Sequence, residues 1–209
     1  VISLDEFLPR VYLHVPACSD PLARQALVDS CIQFCEKSEV LRQDLDPLTV
    51  SANVSSYELT PPEESHTFAR ILSVVIDGTP LHGVFEHDVK NLRPSSEGPK
   101  AFHTTRKDNE FRLHLYPTPD KATTATVHAV LRPTRAATEV DDELFERWVD
   151  AVVDGAIARI TRLPDQPYSD INYSNMMMRS ADEKTVRASN EAGYGRIRGN
   201  TAVKMRPLA

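Results

Sequence analysis

DDELFERWVDAVVDGAIARITRLP, residues 141–164, is where the period of the chain changes. Leu144, Phe145, Trp148, Val152, Ile157 and Ile160 recur at helical spacing, which gathers apolar side chains on one face. Asp141, Asp142 and Glu143 suit the positive end of a helix dipole, and Pro164 stops the run. The pattern predicts one helix over the whole stretch. Gly155 sits in its middle, where glycine costs about 1 kcal/mol relative to alanine, so the reading expects another backbone to approach closely there.

Working upstream, the spacing falls to two. In TATVHAVLRPT, Val127, Ala129 and Leu131 share one strand face. AFHTTRKDNEFRLHLYP reads as a hairpin with Asp108-Asn109 at its tip, and Phe111, Leu113 and Leu115 alternate against Arg112, His114 and Tyr116. Asp77-Gly78 is a hairpin turn between RILSVVI and TPLHGVF, and EHDVKNLRP predicts a short helix over the sheet. VLRQDLDPLTV is also strand-like, so residues 40–135 read as one half-exposed antiparallel sheet.

Both flanks are helical. Ser3 and Glu6 have capping-box spacing ahead of Leu4, Phe7, Leu8, Val11, Tyr12 and Val15, with Pro9 expected to kink that helix. A second helix opens at Ser19 or Asp20, takes Pro21 in its first turn, presents Leu22, Ala26, Leu27, Ser30, Cys31, Phe34 and Cys35, and ends near Lys37. The last helix opens at Ser169 or Asp170 and stops at Gly193. The layout is α+β: N-terminal helices (1–39), an inserted antiparallel β region (40–135), C-terminal helices completing a bundle (136–193) and an extended tail (194–209). Trp148, Phe145 and Val152 are expected to pack on the Leu27, Cys31 and Phe34 face.

Among 209 residues the net charge is −6, which argues against a protein that coats nucleic acid with its whole surface. No run of about twenty apolar residues is present and the opening residues carry acids, so neither a membrane span nor a signal peptide is expected, and synthesis in the cytoplasm is. Cys31 and Cys35, one turn apart, read as small apolar residues on a buried face, and Cys18 with His14 completes no zinc site. Met176, Met177 and Met178 read as core filling before an adaptable contact face. Asp141-Asp142 and Glu63-Glu64 read as helix-dipole and loop acids rather than a magnesium pair. The strand histidines His103, His114 and His128, with His82 and His87, would be needed for a metal-dependent enzyme, but the alternation puts His114 and His128 in solvent. No catalytic residue, cofactor or metal is therefore predicted.

The tail, SNEAGYGRIRGNTAVKMRPLA, has apolar residues without a period, three glycines and a basic bias. Such a tail is either disordered, a terminus with no role, or docked on a partner.

The stretches SLDEFLPRVYLHVPACSDPLARQALVDSCIQFCEKSEVLRQDLDPLTV, YELTPP, RILSVVIDGTPL, FRLHLYPTP and LRPTRAATEVDDELFERWVDAVVDGAIARITRLPDQPYSD, in that order, resemble the head-to-tail adaptor (connector) proteins of short-tailed bacteriophages. That resemblance implies a structural virion protein of the neck and no enzyme. It would form a ring beneath the portal protein, expected to be a dodecamer, that extends the DNA channel and offers a platform to tail nozzle or tail-fibre proteins. Packaged DNA would pass without sequence-specific binding, and no membrane is involved. The docking hypothesis assigns portal contact to Tyr194, Arg196, Ile197, Arg198, Val203, Lys204, Met205, Arg206 and Leu208. A head-completion or stopper protein of a long-tailed phage is the structural alternative, and the histidine-based metal-dependent enzyme the chemical one.

Overall fold

The computed structural model of the chain describes residues 1–91, 98–107 and 110–194. The expected hairpin tip Asp108-Asn109 and the expected tail residues 195–209 lie outside the described residues.

At the amino terminus β1 (Ile2–Ser3) pairs antiparallel with β11 (Glu139–Val140), tying the two flanks of the β region together. Ser3 caps a 3₁₀ turn, Leu4–Phe7, its Oγ accepting from the Asp5 N–H at 3.3 Å. The expected kink at Pro9 does not occur. Proline stands in the first turn of α1 (Leu8–Tyr12), where its missing N–H has no intrahelical partner to lose, so it starts a helix.

In α2 (Asp20–Ser38) Pro21 again occupies the first turn, and Glu39, at φ 54°, ends the helix in the left-handed region. The sequence predicts a single apolar face, yet Ala23, Val28, Ile32 and Ser38 are buried as well. The reason is position: α2 is packed by α4 (Val149–Thr161), α5 (Ile171–Tyr194) and β10 (Thr123–Pro133) at once. Cys31 and Cys35 are free and fully buried there. Burial pushes the Cys31 thiol up to about 12 and Cys35 in the same direction, which keeps both uncharged.

The β region is two sheets rather than one. In the first, β2 (Arg42–Asp44), β10, β5 (His66–Ile76) and β6 (Thr79–Pro80) lie in that order, with β3 (Leu48–Val50) also on β10. The second runs β4 (Ser56–Leu59), β9 (Glu110–Tyr116), β8 (Ala101–Lys107) and β7 (His82–Gly83). The Asp77-Gly78 turn forms with φ of 49° and 76°, but its second arm stays only through Thr79–Pro80 and one further bond, Leu81 N–H to Val74 O at 2.8 Å. The chain then crosses to the other sheet, where β7 runs parallel to β8. Proline contributes no N–H to a ladder, so this edge ends early. The short helix expected beyond it is a 3₁₀ helix, Glu86–Asn91.

Phe68 on β5 meets Phe111 on β9 edge-on, centroids 5.2 Å apart, which joins the two sheets. On β9 the predicted alternation holds, with Leu113 and Leu115 buried. On β10 it is broken by register shifts at His128/Ala129 and Val130/Leu131, which is why Val130 is buried along with Val127, Ala129 and Leu131.

The opening stretch is not one helix. α3 (Asp142–Glu146), capped by Asp141 Oδ1 on the Glu143 N–H at 2.9 Å, is separated from α4 by Trp148 at φ −122°, ψ 12°. The break lets two neighbouring aromatics diverge. Phe145 packs edge-on against Phe7 at 5.0 Å, and Trp148 tilts onto Phe34 at 5.8 Å. Trp148 therefore meets the α2 face that was expected for it, whereas Phe145 goes to the amino terminus. At Gly155 the close neighbour is a side chain and not a backbone: Ser30 Oγ, which donates to Val152 O at 2.7 Å.

Candidate functional site

α5 is the element from which the docking residues issue, and its start is fixed by one side chain. Asp170 Oδ1 accepts from the Asn172 and Tyr173 N–H groups at 2.9 and 3.0 Å, so of the two predicted caps the aspartate is used. The helix passes Gly193, the predicted stop, and is described to Tyr194.

What α5 buries is small: Ser174, Ala181, Thr185 and Ala188. Small residues bring helix axes close but remove little apolar surface from water, so the helix is also fastened by polar contacts. Ser174 Oγ donates to Ala158 O at 2.6 Å. Asp154 on α4 accepts from Ser180 Oγ at 2.6 Å and Lys184 Nζ at 2.5 Å. Lys37 on α2 reaches Asp182 at 3.0 Å. Near the carboxyl end, Arg147 lies over the Trp148 ring and bridges Glu143 and Glu191 at 2.5 and 2.7 Å.

The opposite face of α5 is open. Ile171, Met176, Val186 and Tyr194 are exposed, Tyr194 at 81%. Of the methionine triplet only Met177 packs against the core, so core filling describes one residue of three. Of the nine proposed docking residues Tyr194 alone falls among those described. Arg196, Ile197, Arg198, Val203, Lys204, Met205, Arg206 and Leu208 lie outside them.

The histidines do not converge. His103 and His114 face each other across β8 and β9 and stack at 4.6 Å with rings 10° apart, so their lone pairs run side by side. Neither His114 nor His128 is fully in solvent as the alternation implied. His114 is half-buried and bonded to Thr105 Oγ1 at 2.8 Å, and burial, then His103, push its pKa below 6.5. His128 belongs to the other sheet and pairs with Asp44. His87 stacks on Phe85 at 5.6 Å. Among the described residues no group of three or more His, Cys, Asp or Glu is placed to hold a metal ion, and no helix is long and apolar enough to cross a membrane. The acid pairs have structural roles: Asp141 caps α3, and Glu63 reaches His66 and Ser65 at 3.2 Å.

Sequence reasoning missed the polar clasp on α5. Ser180 and Lys184 are four apart, a spacing that places both on one side of a helix, but their common partner Asp154 is set by the tertiary fold.

The family model for the SU10 adaptor protein matches residues 8–200, which includes every helix from α1 to α5 and both sheets. A search of curated proteins finds no match to the chain. The chain belongs to the SU10 adaptor family and is a phage adaptor-type structural protein.

Proposed function

We propose that this SU10 adaptor-family chain is the head-to-tail adaptor of a short-tailed phage: a ring at the virion neck, below the portal, that extends the DNA channel and presents a platform to tail nozzle or tail-fibre proteins. The family match over residues 8–200 carries this reading. The structure adds physical support. α4 lies against both α2 and α5, a helical layer sharing one apolar core with the sheets, which suits a rigid ring subunit. Tyr194, the last described residue of α5, is exposed, and residues 195–209 follow it in sequence. Their sequence carries Arg196, Arg198, Lys204 and Arg206, no acid, and apolar residues between, which suits docking on acidic portal side chains. The chain as a whole carries −6, which suits a channel wall that lets duplex slide, because basic rings would hold it by counterion release.

Native mass measurement tests this. The full chain with portal is expected to give a portal–ring complex of dodecameric mass. The chain truncated after Tyr194 is expected to stay folded and lose that association. A full chain that never joins the portal would overturn the adaptor reading, and a truncated chain that joins with undiminished affinity would overturn the tail as its anchor.

A further inference from the structure

At about 100° per residue, the buried Ser174, Ala181, Thr185 and Ala188 fall on one side of α5, and Asn172, Met176, Arg179, Glu183, Val186 and Asn190 fall on the other. All six of the latter are exposed, Met176 at 54% and Val186 at 60%. They follow one another at alternating steps of four and three, the spacing at which a helix presents a straight seam to a second helix. From Asn172 to Asn190 the seam runs about 27 Å.

The charges on this seam have no partner within the chain. Arg179 and Glu183 are four residues apart, yet among the described residues neither makes an ion pair or a side-chain hydrogen bond, with the other or with another element. The charged residues beside the seam are all taken: Lys184 by Asp154, Asp182 by Lys37 and Arg187 by Glu191. Two exposed apolar side chains, one free cation and one free anion therefore share a single bare face.

The order of the seam names what can cover it. Forwards it runs polar, apolar, cation, anion, apolar, polar; backwards it is the same but for the exchange of cation and anion. Laid antiparallel on a second copy with its centre at Ala181, it sets Met176 against Val186, Arg179 against Glu183 and Asn172 against Asn190, each pair formed twice. A slide of one heptad in either direction puts Met176 against Arg179 or Val186 against Glu183, so one register is preferred. We propose that α5 of one copy pairs antiparallel with α5 of a second copy through this seam. A two-fold contact uses the same patch on both copies and joins only two, so it is not the contact that would close a ring. It is a contact of the free chain, it takes Met176 and Val186 out of water, and it stands independently of the ring reading. One helix pair buries less than the about 1,200 Å² of a stable complex, so the dimer exchanges readily with monomer.

Sedimentation of the full chain without portal, over rising concentration, tests this, and a reversible monomer–dimer equilibrium is expected. Arg179→Glu and Glu183→Arg each set like charges against one another at both symmetric contacts, and each should weaken the dimer about ten-fold or more. Mixing the two variants should restore it as a heterodimer, because each then meets the opposite charge; an ion pair within one helix could not be rescued that way. Oxidation of Met176→Cys/Val186→Cys should give a covalent dimer, whereas Met176→Cys alone should not, its two copies lying about 15 Å apart along the pair. All four positions are exposed, and circular dichroism checks that each variant is folded. A full chain that is monomeric at every concentration, reversals that leave the dimer unchanged, a mixture no tighter than its components, or Met176→Cys cross-linking as fast as the double variant overturns the pairing. Because portal is absent throughout, each of those results leaves the adaptor reading in place.

Discussion

Gly155→Ala measures how tightly α2 and α4 approach. A Cβ built there would fall inside the 3.0 Å from Ser30 Oγ that real Cβ atoms keep, with the Arg159 guanidinium at 3.3 Å and Ser30 Cβ at 3.5 Å. The Ser30 hydroxyl must turn away, releasing its 2.7 Å bond to Val152 O inside a buried contact. Alanine gains about 1 kcal/mol of helix propensity over glycine. Against that stand about 1–3 kcal/mol for overpacking and about 1–3 kcal/mol for a stranded buried hydroxyl. The net loss is then about 1–5 kcal/mol, centred near 3. Ser30→Ala alone should cost about 1 kcal/mol. In the double variant the hydroxyl clash is gone, leaving a methyl group at ordinary contact distance and the end of the flexible Arg159 side chain at 3.3 Å, so the second alanine should restore most of what the first removed. Urea unfolding of the four chains gives the coupling as a difference of midpoints at constant m-value. Additivity within about 0.5 kcal/mol, or a Gly155→Ala chain as stable as the unaltered one, would refute the argument.

Trp148→Ala should cost about 3–5 kcal/mol, because the ring is 6% exposed and packs on Phe34; a loss below about 1 kcal/mol in urea unfolding would contradict that packing. Asp170→Ala should cost about 1 kcal/mol through two released N–H groups, whereas Asp170→Asn should retain most of it; equal losses would show that the cap is not the cause. His114 has a folded-state pKa lowered from 6.5 by burial and then by His103, so the neutral ring is the one the fold favours. Its contribution is therefore complete above pH 6.5 and is lost as pH falls through the lowered value. An NMR titration should place the His114 midpoint below 6.5, and His114→Gln should flatten the stability profile on the acid side; a midpoint at or above 6.5 refutes the assignment.

What could be read from the sequence was what neighbours along the chain decide. Pro21 in a first turn, Asp170 ahead of its helix, the left-handed pair at Asp77-Gly78 and the alternation from Phe111 to Tyr116 are local choices, and each element forms where those residues put it. The break at Trp148 was hidden because apolar spacing runs through it unchanged. It is imposed by Phe7 and Phe34, which claim Phe145 and Trp148 in different directions. The split into two sheets was hidden for a similar reason, since alternation says which residues share a face and not which sheet receives it. β4 and β5 are consecutive, yet one joins β9 and the other β10. The candidate site follows the same rule in reverse. On α5 the buried positions are Ser174, Ala181, Thr185 and Ala188, a face that hydropathy scarcely distinguishes from solvent-facing residues. So weak an apolar face leaves the helix to be held by Asp154, Lys37 and Arg147, each on another element. With the helix held by those clasps, Met176, Val186 and Tyr194 stay exposed, and these are the side chains it has to offer a partner.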